Sequence, residues 1–327
     1  MLAVLAAFML IIMAGQAMVY TNNPYYCGYT VAATDGEAEV RVDTNYSLQY
    51  TVNSLRTDSL ASIDTYVIYY DSERPVIGDR TVLEGCMDRL KLCFSNDNTV
   101  LGTVDTEGLL RIIEGDTSVA VLFMTGVLPE EVYSGHAGDP IFKWLEAGGV
   151  MYWLHEKIGQ TYSGVDGKMK HVADPDALFF GCSDVVNQTT DQVYTKNLVE
   201  GSLTDKMGIY YGETTNGVDT SKLGGPYLSL DYNDGVYSAV VFSKYHGGEG
   251  MVGVFGGQIK YEAVPMSTMA SVAQSIVSKL SYDTVLIDSA TSSGSDTLTL
   301  RCGEGYSYIF MYVDKVNAIW AKITALR

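Results

Sequence analysis

The sequence predicts an N-terminal hydrophobic α-helix plus an α/β head, in which a β-sandwich carries an inserted parallel α/β domain. Three observations predict this fold class. Nineteen of the first 20 residues are apolar, Ala or Gly, the exception being Gln16. Polar and apolar residues alternate near both ends of the remaining chain, as in half-exposed strands. Between these ends, continuous apolar runs alternate with helical patterns.

The opening segment is long enough to cross a membrane as a helix. Twenty residues at about 1.5 Å per residue give about 30 Å, which matches the core of a bilayer. We therefore expect residues 1–22 to form a transmembrane or filament-core helix. The side chains expected to mediate polymerisation are Met1, Leu2, Val4, Leu5, Ala7, Phe8, Leu10, Ile11, Ile12, Met13, Gly15, Met18 and Val19.

No Lys or Arg precedes the apolar run, although signal peptides and signal anchors normally carry basic residues there. The run resembles the mature N-terminus of archaeal type IV pilins and archaellins, whose leader is removed on the cytoplasmic side. Bacterial pilins usually carry Glu at the fifth mature position, where this chain has Leu5. The resemblance implies a subunit that packs with its copies in a filament core. An atypical signal peptide and a simple membrane anchor stay open as alternatives.

The chain is strongly acidic, with 21 Lys and Arg against 39 Asp and Glu and a formal net charge of −18. This balance argues against nucleic-acid binding, which needs a basic surface. The 24 Tyr and 33 Gly are typical of an extracellular β-rich protein. We expect an extracellular, cell-surface filament. Its expected partners are other copies of the chain, the membrane before assembly, and cell-surface molecules or glycans.

Periodicity divides the chain after the first segment. Residues 23–57 and 283–327 alternate with period two and are predicted to form one β-sandwich. Residues 58–282 are predicted to form the inserted α/β domain, because apolar strands such as 118–126 alternate with helices such as 139–149. An insertion is tolerated where the ends of the inserted domain lie close together.

The α/β stretch contains "VAVLFMTGVLPEEVY", "DPIFKWLEAGGVMYWLH" and "GMVGVFGG". It resembles the flavodoxin-like core of class I glutamine amidotransferase-like domains. Active members carry a nucleophilic Cys after the third strand and a His after a late strand. Met124, Thr125 and Gly126 stand at the first place, and no His follows Phe255 closely. Nucleophilic catalysis needs a nucleophile beside a base, so the resemblance implies a catalytically degenerate domain that is not an enzyme.

No catalytic, cofactor-binding or metal-binding residues are predicted. The four His residues are scattered and are interpreted as structural, and the oxygen-rich turns 174–176 and 231–235 lack the spacing of an EF-hand. A ligand of such a sheet would bind near Asp71, Asp105 and Thr125, although a vestigial crevice is the favoured interpretation. The alternative function is a single-span, membrane-anchored surface protein whose α/β domain binds a small ligand or sugar.

Two covalent features are predicted for an exported protein. Cys27 and Cys302 fall in the predicted sandwich and are candidates for a disulfide, with free buried thiols as the alternative. The sequons that begin at Asn45 and Asn187 are candidate glycosylation sites.

Overall fold

A computed structural model describes the chain in segments. They are residues 17–21, 29–32, 37–55, 60, 62–155, 157–190, 214–229, 237–238, 240–256, 266–277, 279, 281–282, 284–301, 308–316 and 320–325. The chain divides into two compact units. The first comprises the described parts of 1–58 and 284–327, and the second comprises those of 59–198 and 207–283.

The described elements are as follows in chain order. The strands are β1 (Ala17–Thr21), β2 (Tyr29–Ala32), β3 (Glu37–Leu55), β4 (Thr65–Tyr69), β5 (Leu101–Val104), β6 (Val119–Phe123), β7 (Leu128–Pro129), β8 (Val150–Trp153), β9 (Thr161–Ser163), β10 (Met169–His171), β11 (Val186–Thr190), β12 (Thr214–Asp219), β13 (Tyr227–Ser229), β14 (Tyr237–Ser238), β15 (Val240–Lys244), β16 (Met251–Phe255), β17 (Thr284–Arg301), β18 (Tyr308–Val316) and β19 (Trp320–Ala325). The α-helices are α1 (Arg80–Asn96), α2 (Thr106–Ile113), α3 (Pro140–Glu146), α4 (Pro175–Phe180) and α5 (Met266–Val277).

The described strands of the first unit form one antiparallel sheet. Its path runs β1-β19-β3-β18-β2, and β17 pairs with the other side of β3. The predicted β-sandwich of two sheets is therefore wrong, because hydrogen bonds join all six strands in a single sheet. The alternating pattern identified strands with two different faces, but alternation does not determine how many sheets the strands form.

The predicted helix over residues 1–22 is wrong where the structure describes it. Residues 17–21 form strand β1, which pairs antiparallel with β19. Val19, Tyr20 and Thr21 are β-branched or aromatic and favour extended backbone, and β19 supplies partners for their backbone groups. Among the described residues, no helix has the length and apolar character needed to cross a bilayer.

Most of the proposed polymerisation residues lie outside the described residues. Of that set, Met18 and Val19 belong to β1. The polymerisation residues that lie outside the described residues are Met1, Leu2, Val4, Leu5, Ala7, Phe8, Leu10, Ile11, Ile12, Met13 and Gly15.

Strand β3 cannot be straight, because a short connection joins strands at its two ends. β17 ends at Arg301 opposite Glu37, and β18 begins at Tyr308 opposite Leu55. A straight strand from 37 to 55 would span about 60 Å at about 3.3 Å per residue. The connection 302–307 reaches at most about 25 Å. The sheet must therefore curl until the two ends of β3 approach each other.

The second unit contains a mixed seven-stranded sheet in the order β13-β15-β16-β8-β6-β4-β5. The five strands from β16 to β5 are parallel, whereas β15 and β13 are antiparallel additions. The predicted flavodoxin-like parallel sheet is therefore wrong at this edge. The tight connection between β15 and β16 is too short for a crossover and permits only an antiparallel hairpin.

Helices cover the central strands of this sheet. α1 packs against α5, and α2 packs against α3. The central strand β6 is buried at every position, which explains why its sequence is apolar throughout. The largest buried side chains include Trp144 of α3 and Trp153 of β8, both at most 1% exposed. Two smaller sheets, β10-β9-β7 and β11-β12-β14, extend the unit.

Candidate functional site

The candidate site lies at the carboxyl ends of the parallel strands. β4 has β5 on one side and β6 on the other, so the strand order reverses at β4. Ligands of open α/β sheets bind in the crevice at such a reversal. The residues that follow the strands there are Asp71, Asp105, Thr125 and His155.

Asp71 is bonded to the loop that follows the neighbouring strand. Its Oδ2 accepts a hydrogen bond of 2.6 Å from the Thr106 hydroxyl, and its Oδ1 accepts one of 3.0 Å from the Glu73 backbone. The Tyr69 hydroxyl lies 3.2 Å from the same Thr106 oxygen. Burial raises the pKa of Asp71, but these bonds and the nearby Arg74 charge together bring it below its usual value. The carboxylate form is therefore favoured.

Burial raises the pKa of Tyr69 to about 12, so its phenol stays protonated at neutral pH. Asp105 begins α2 as its N-cap, and its Oδ1 accepts a 2.8 Å bond from the Gly108 backbone. These two side chains and Asp71 hold the ends of β4 and β5 in place.

A second group, which we call the Arg74 cluster, consists of Arg74, Glu131, Ser163 and Gly164. The Arg74 guanidinium pairs with Glu131 Oε1 and donates to the Gly164 carbonyl at 3.0 Å and to the Ser163 hydroxyl at 3.4 Å. Glu131 Oε2 is buried and has no hydrogen-bond partner among the described residues. An unsatisfied buried oxygen is costly and is a place where a donor group can bind.

The turn after β6 stands where active amidotransferase-like domains carry their nucleophilic Cys. The Thr125 hydroxyl donates to the Val127 carbonyl at 2.7 Å, and Thr125 is 3% exposed. Gly126 has φ +73°, and a Cβ there would lie 2.7 Å from the His155 ring. His155 is fully buried, and its Nε2 lies 3.3 Å from the Ile77 carbonyl. Thr125 and His155 thus serve the packing of this turn.

The other three histidines lie in separate places. His136 Nδ1 lies 3.0 Å from the Ser134 hydroxyl, His171 Nδ1 lies 3.3 Å from the Thr161 hydroxyl, and His246 Nδ1 lies 3.3 Å from a backbone carbonyl. In the part of the chain that the structure describes, no three His, Cys, Asp or Glu side chains are arranged to hold a metal ion.

The turn at 174–176 is used for capping and for an ion pair. Asp174 begins α4, and its Oδ1 accepts a 3.2 Å bond from the Ala177 backbone. Asp176 forms an ion pair with Lys157. The other oxygen-rich turn, 231–235, lies outside the described residues.

The residues predicted to carry covalent features fall in different parts of the chain. Cys27 and Cys302 lie outside the described residues. Within the part of the chain that the structure describes, Cys86, Cys93 and Cys182 form no disulfide, and the first two are buried. The sequon residues lie in strands, Asn45 in β3 and Asn187 in β11.

Sequence reasoning placed Asp71, Asp105 and Thr125 at the ends of three strands that the structure shows to be neighbours. It missed the Arg74 cluster. Arg74 and Glu131 are 57 positions apart, and no periodic pattern links them. Their position just after strands β4 and β7 was the available signal.

Comparison with known proteins gives little further guidance. No protein-family model matches the sequence, and no curated protein matches it. One similar solved structure is exo-beta-1,4-mannosidase Op5Man5 from Opitutaceae bacterium strain TAV5, with 12% sequence identity and a TM-score of 0.33. The match covers 67% of this chain and 35% of the mannosidase chain. A likeness at this level carries no argument about activity.

Proposed function

We propose that this protein is a structural subunit of an extracellular filament, assembled through its apolar N-terminal segment. One observation carries the proposal: the apolar segment runs directly into β1, which five residue pairs join to β19. Residues 1–15 contain no polar or charged side chain. Tension on that segment would therefore pass into a hydrogen-bonded sheet, which is what a subunit held in a filament core requires.

The carboxyl edge of the parallel strands supports a non-catalytic role. The Thr125 hydroxyl donates to a backbone carbonyl, and the carboxylates of Asp71 and Asp105 accept hydrogen bonds from neighbouring loops. Side chains nearest the crevice are thus used to hold loops. The net charge of −18 would help to keep such a filament coat soluble.

Charged substitutions in the apolar segment test the filament proposal. Ala7→Asp and Leu10→Asp place a carboxylate among apolar neighbours, where an unpaired charge is strongly disfavoured. We expect electron microscopy of cells to show no filaments. Val100→Asp is the matched control, because Val100 is 83% exposed in the second unit, and it should leave filaments intact. Normal assembly of both segment variants would contradict the proposal.

A second candidate function is binding of a small hydroxyl-rich ligand, such as a sugar, at the Arg74 cluster. The observation that favours it is the buried Glu131 Oε2, which lacks a donor among the described residues. A ligand hydroxyl can donate to that oxygen, while its own oxygen accepts from Arg74.

Thermal unfolding with a panel of monosaccharides tests this second candidate. A bound ligand raises the melting temperature by mass action, and Glu131→Gln should abolish the increase. Glu130→Gln is the control, since the Glu130 side chain pairs with Lys170 and not with Arg74. If no sugar shifts the wild-type protein, this candidate function is wrong.

A further inference from the structure

The second unit contains an ion pair between a lysine and an aspartate whose side chain is fully buried. Lys157, in the loop after β8, places its Nζ 3.1 Å from Oδ2 of Asp176 in α4. The Asp176 side chain is fully buried, and the Lys157 side chain is 25% exposed. The Lys170–Glu130 pair has a similar distance of 3.0 Å, but its side chains are 41% and 28% exposed.

The surroundings of Asp176 disfavour a lasting ion pair. Asp176 Oδ2 also accepts a 2.9 Å bond from the Val186 backbone, whereas the buried Oδ1 has no partner among the described residues. Phe179, Val185 and Val186 belong to the apolar core. Burial raises the pKa of Asp176 in spite of Lys157, which makes the charged carboxylate less favourable there than in water. Two charges taken from water recover their desolvation cost only when every polar atom is bonded.

We propose that Lys157 and Asp176 are joined by an isopeptide bond that forms within the folded protein. The contact brings a primary amine against a carboxyl group in a mostly dry site, which favours condensation over a charged pair. The product amide is uncharged, so it removes the cost of burying both ions. This proposal does not depend on the filament function.

The reaction balances without any further reactant. One proton passes from the Lys157 ammonium to the Asp176 carboxylate, which leaves a neutral amine and a neutral acid. The amine nitrogen then attacks Cγ, a C–N bond forms, and the negative charge that develops on oxygen is stabilised by the Val186 N–H. The C–O bond breaks, and the hydroxyl leaves as water with a second proton from the nitrogen.

Mass spectrometry of the full-length protein tests the proposal. After reduction and denaturation, we expect the wild-type protein to be lighter by the mass of one water than its sequence requires. Proteolysis should yield one branched peptide that contains both Lys157 and Asp176. Lys157→Arg and Asp176→Ala should each restore the full mass. Lys170→Arg, at the exposed pair, should keep the loss of water.

If a variant fails to fold, the peptide map of the wild-type protein still shows whether Lys157 and Asp176 are joined. Recovery of Lys157 and Asp176 in two separate linear peptides would overturn the proposal. A loss of water that maps to any other pair of residues would overturn it as well.

Discussion

At the residue scale, the second unit uses single polar side chains to fasten one loop to another. Asp71 holds the start of α2 through Thr106, and Arg74 holds two loops that lie far apart in the sequence. Such bonds are net stabilising because both partners would otherwise be partly buried without a partner. The pKa of Asp71 makes this contribution depend on pH.

We predict that Asp71 stabilises the fold at neutral pH and loses this effect in acid. Its pKa is lower in the folded protein than the ordinary value of 3.8. The contribution is therefore present above about pH 4 and is lost as the pH falls through the folded pKa. Urea unfolding should show that the wild-type protein loses more stability than Asp71→Asn between neutral pH and about pH 3.

The control for this prediction is Asp88→Asn on α1, at an exposed position. This variant keeps the Asp71 bonds, so it should still show the loss of stability in acid that those bonds cause. Equal pH dependence of Asp71→Asn and the wild-type protein would show that the Asp71 bonds do not matter for folding.

At the element scale, sequence reasoning worked where one local pattern determined one element. The stretch 139–149 predicted a helix, and α3 spans Pro140–Glu146 with Ile141, Phe142 and Leu145 buried. The run 118–126 predicted a central strand, which is β6. In α3 the buried apolar side chains recur with the helical period, whereas in β6 every residue is apolar because the strand is buried on both faces.

Prediction from the sequence failed where the secondary structure of a segment depends on pairing with a strand that is distant in the sequence. The apolar residues at 17–21 suit a helix by their hydrophobicity, but β19 offers them an antiparallel partner. The same limit applies to the site, because strand ends can be read from the sequence, whereas the Arg74–Glu131 contact depends on tertiary packing. The mixed edge of the large sheet also depends on which strand the hairpin β15–β16 joins.

Two substitutions on α1 should change stability in opposite directions. The Asp79 carboxylate caps the helix by accepting bonds from the Thr81 and Val82 backbones, so Asp79→Ala should cost about 1 kcal/mol. Gly85 has open space around its missing Cβ, so Gly85→Ala should add about 1 kcal/mol through helix propensity. Denaturant unfolding measures both.

Asp79→Ser serves as the control for the cap, since a serine hydroxyl accepts the same backbone bond. It should recover most of the lost stability. A Gly85→Ala variant that is less stable than the wild-type protein would mean that α1 packs more tightly there than the structure indicates.

At the scale of the whole molecule, the two units differ in how the chain assembles them. The second unit forms from one central stretch, whereas the sheet of the first unit pairs β1 near the start with β19 near the end. Each described strand of the first unit therefore depends on residues from the other end of the chain.

We predict that deletion of residues 320–325 disrupts the first unit and spares the second. β1 would lose the strand with which it pairs, and β3 would lose one of its neighbours. Hydrogen exchange should show loss of amide protection in β1 and β3, with protection in β6 and β8 retained. Loss of protection in β6 as well would show that the second unit cannot fold without an intact first unit.

Because β1 pairs with β19, the first unit cannot complete its sheet until the end of the chain has been synthesised. At about 5–20 residues per second, a ribosome needs roughly 15 to 60 seconds to synthesise the ~300 residues that separate the two strands. For most of that interval the 19-residue strand β3 has none of its partners β17, β18 and β19, because β17, the first of them to be made, begins only at Thr284. An unpaired strand of this length is a template for adhesion to other chains. The nascent chain is therefore most prone to aggregation before its last strands are synthesised. A high local concentration of nascent copies would increase aggregation most during this time.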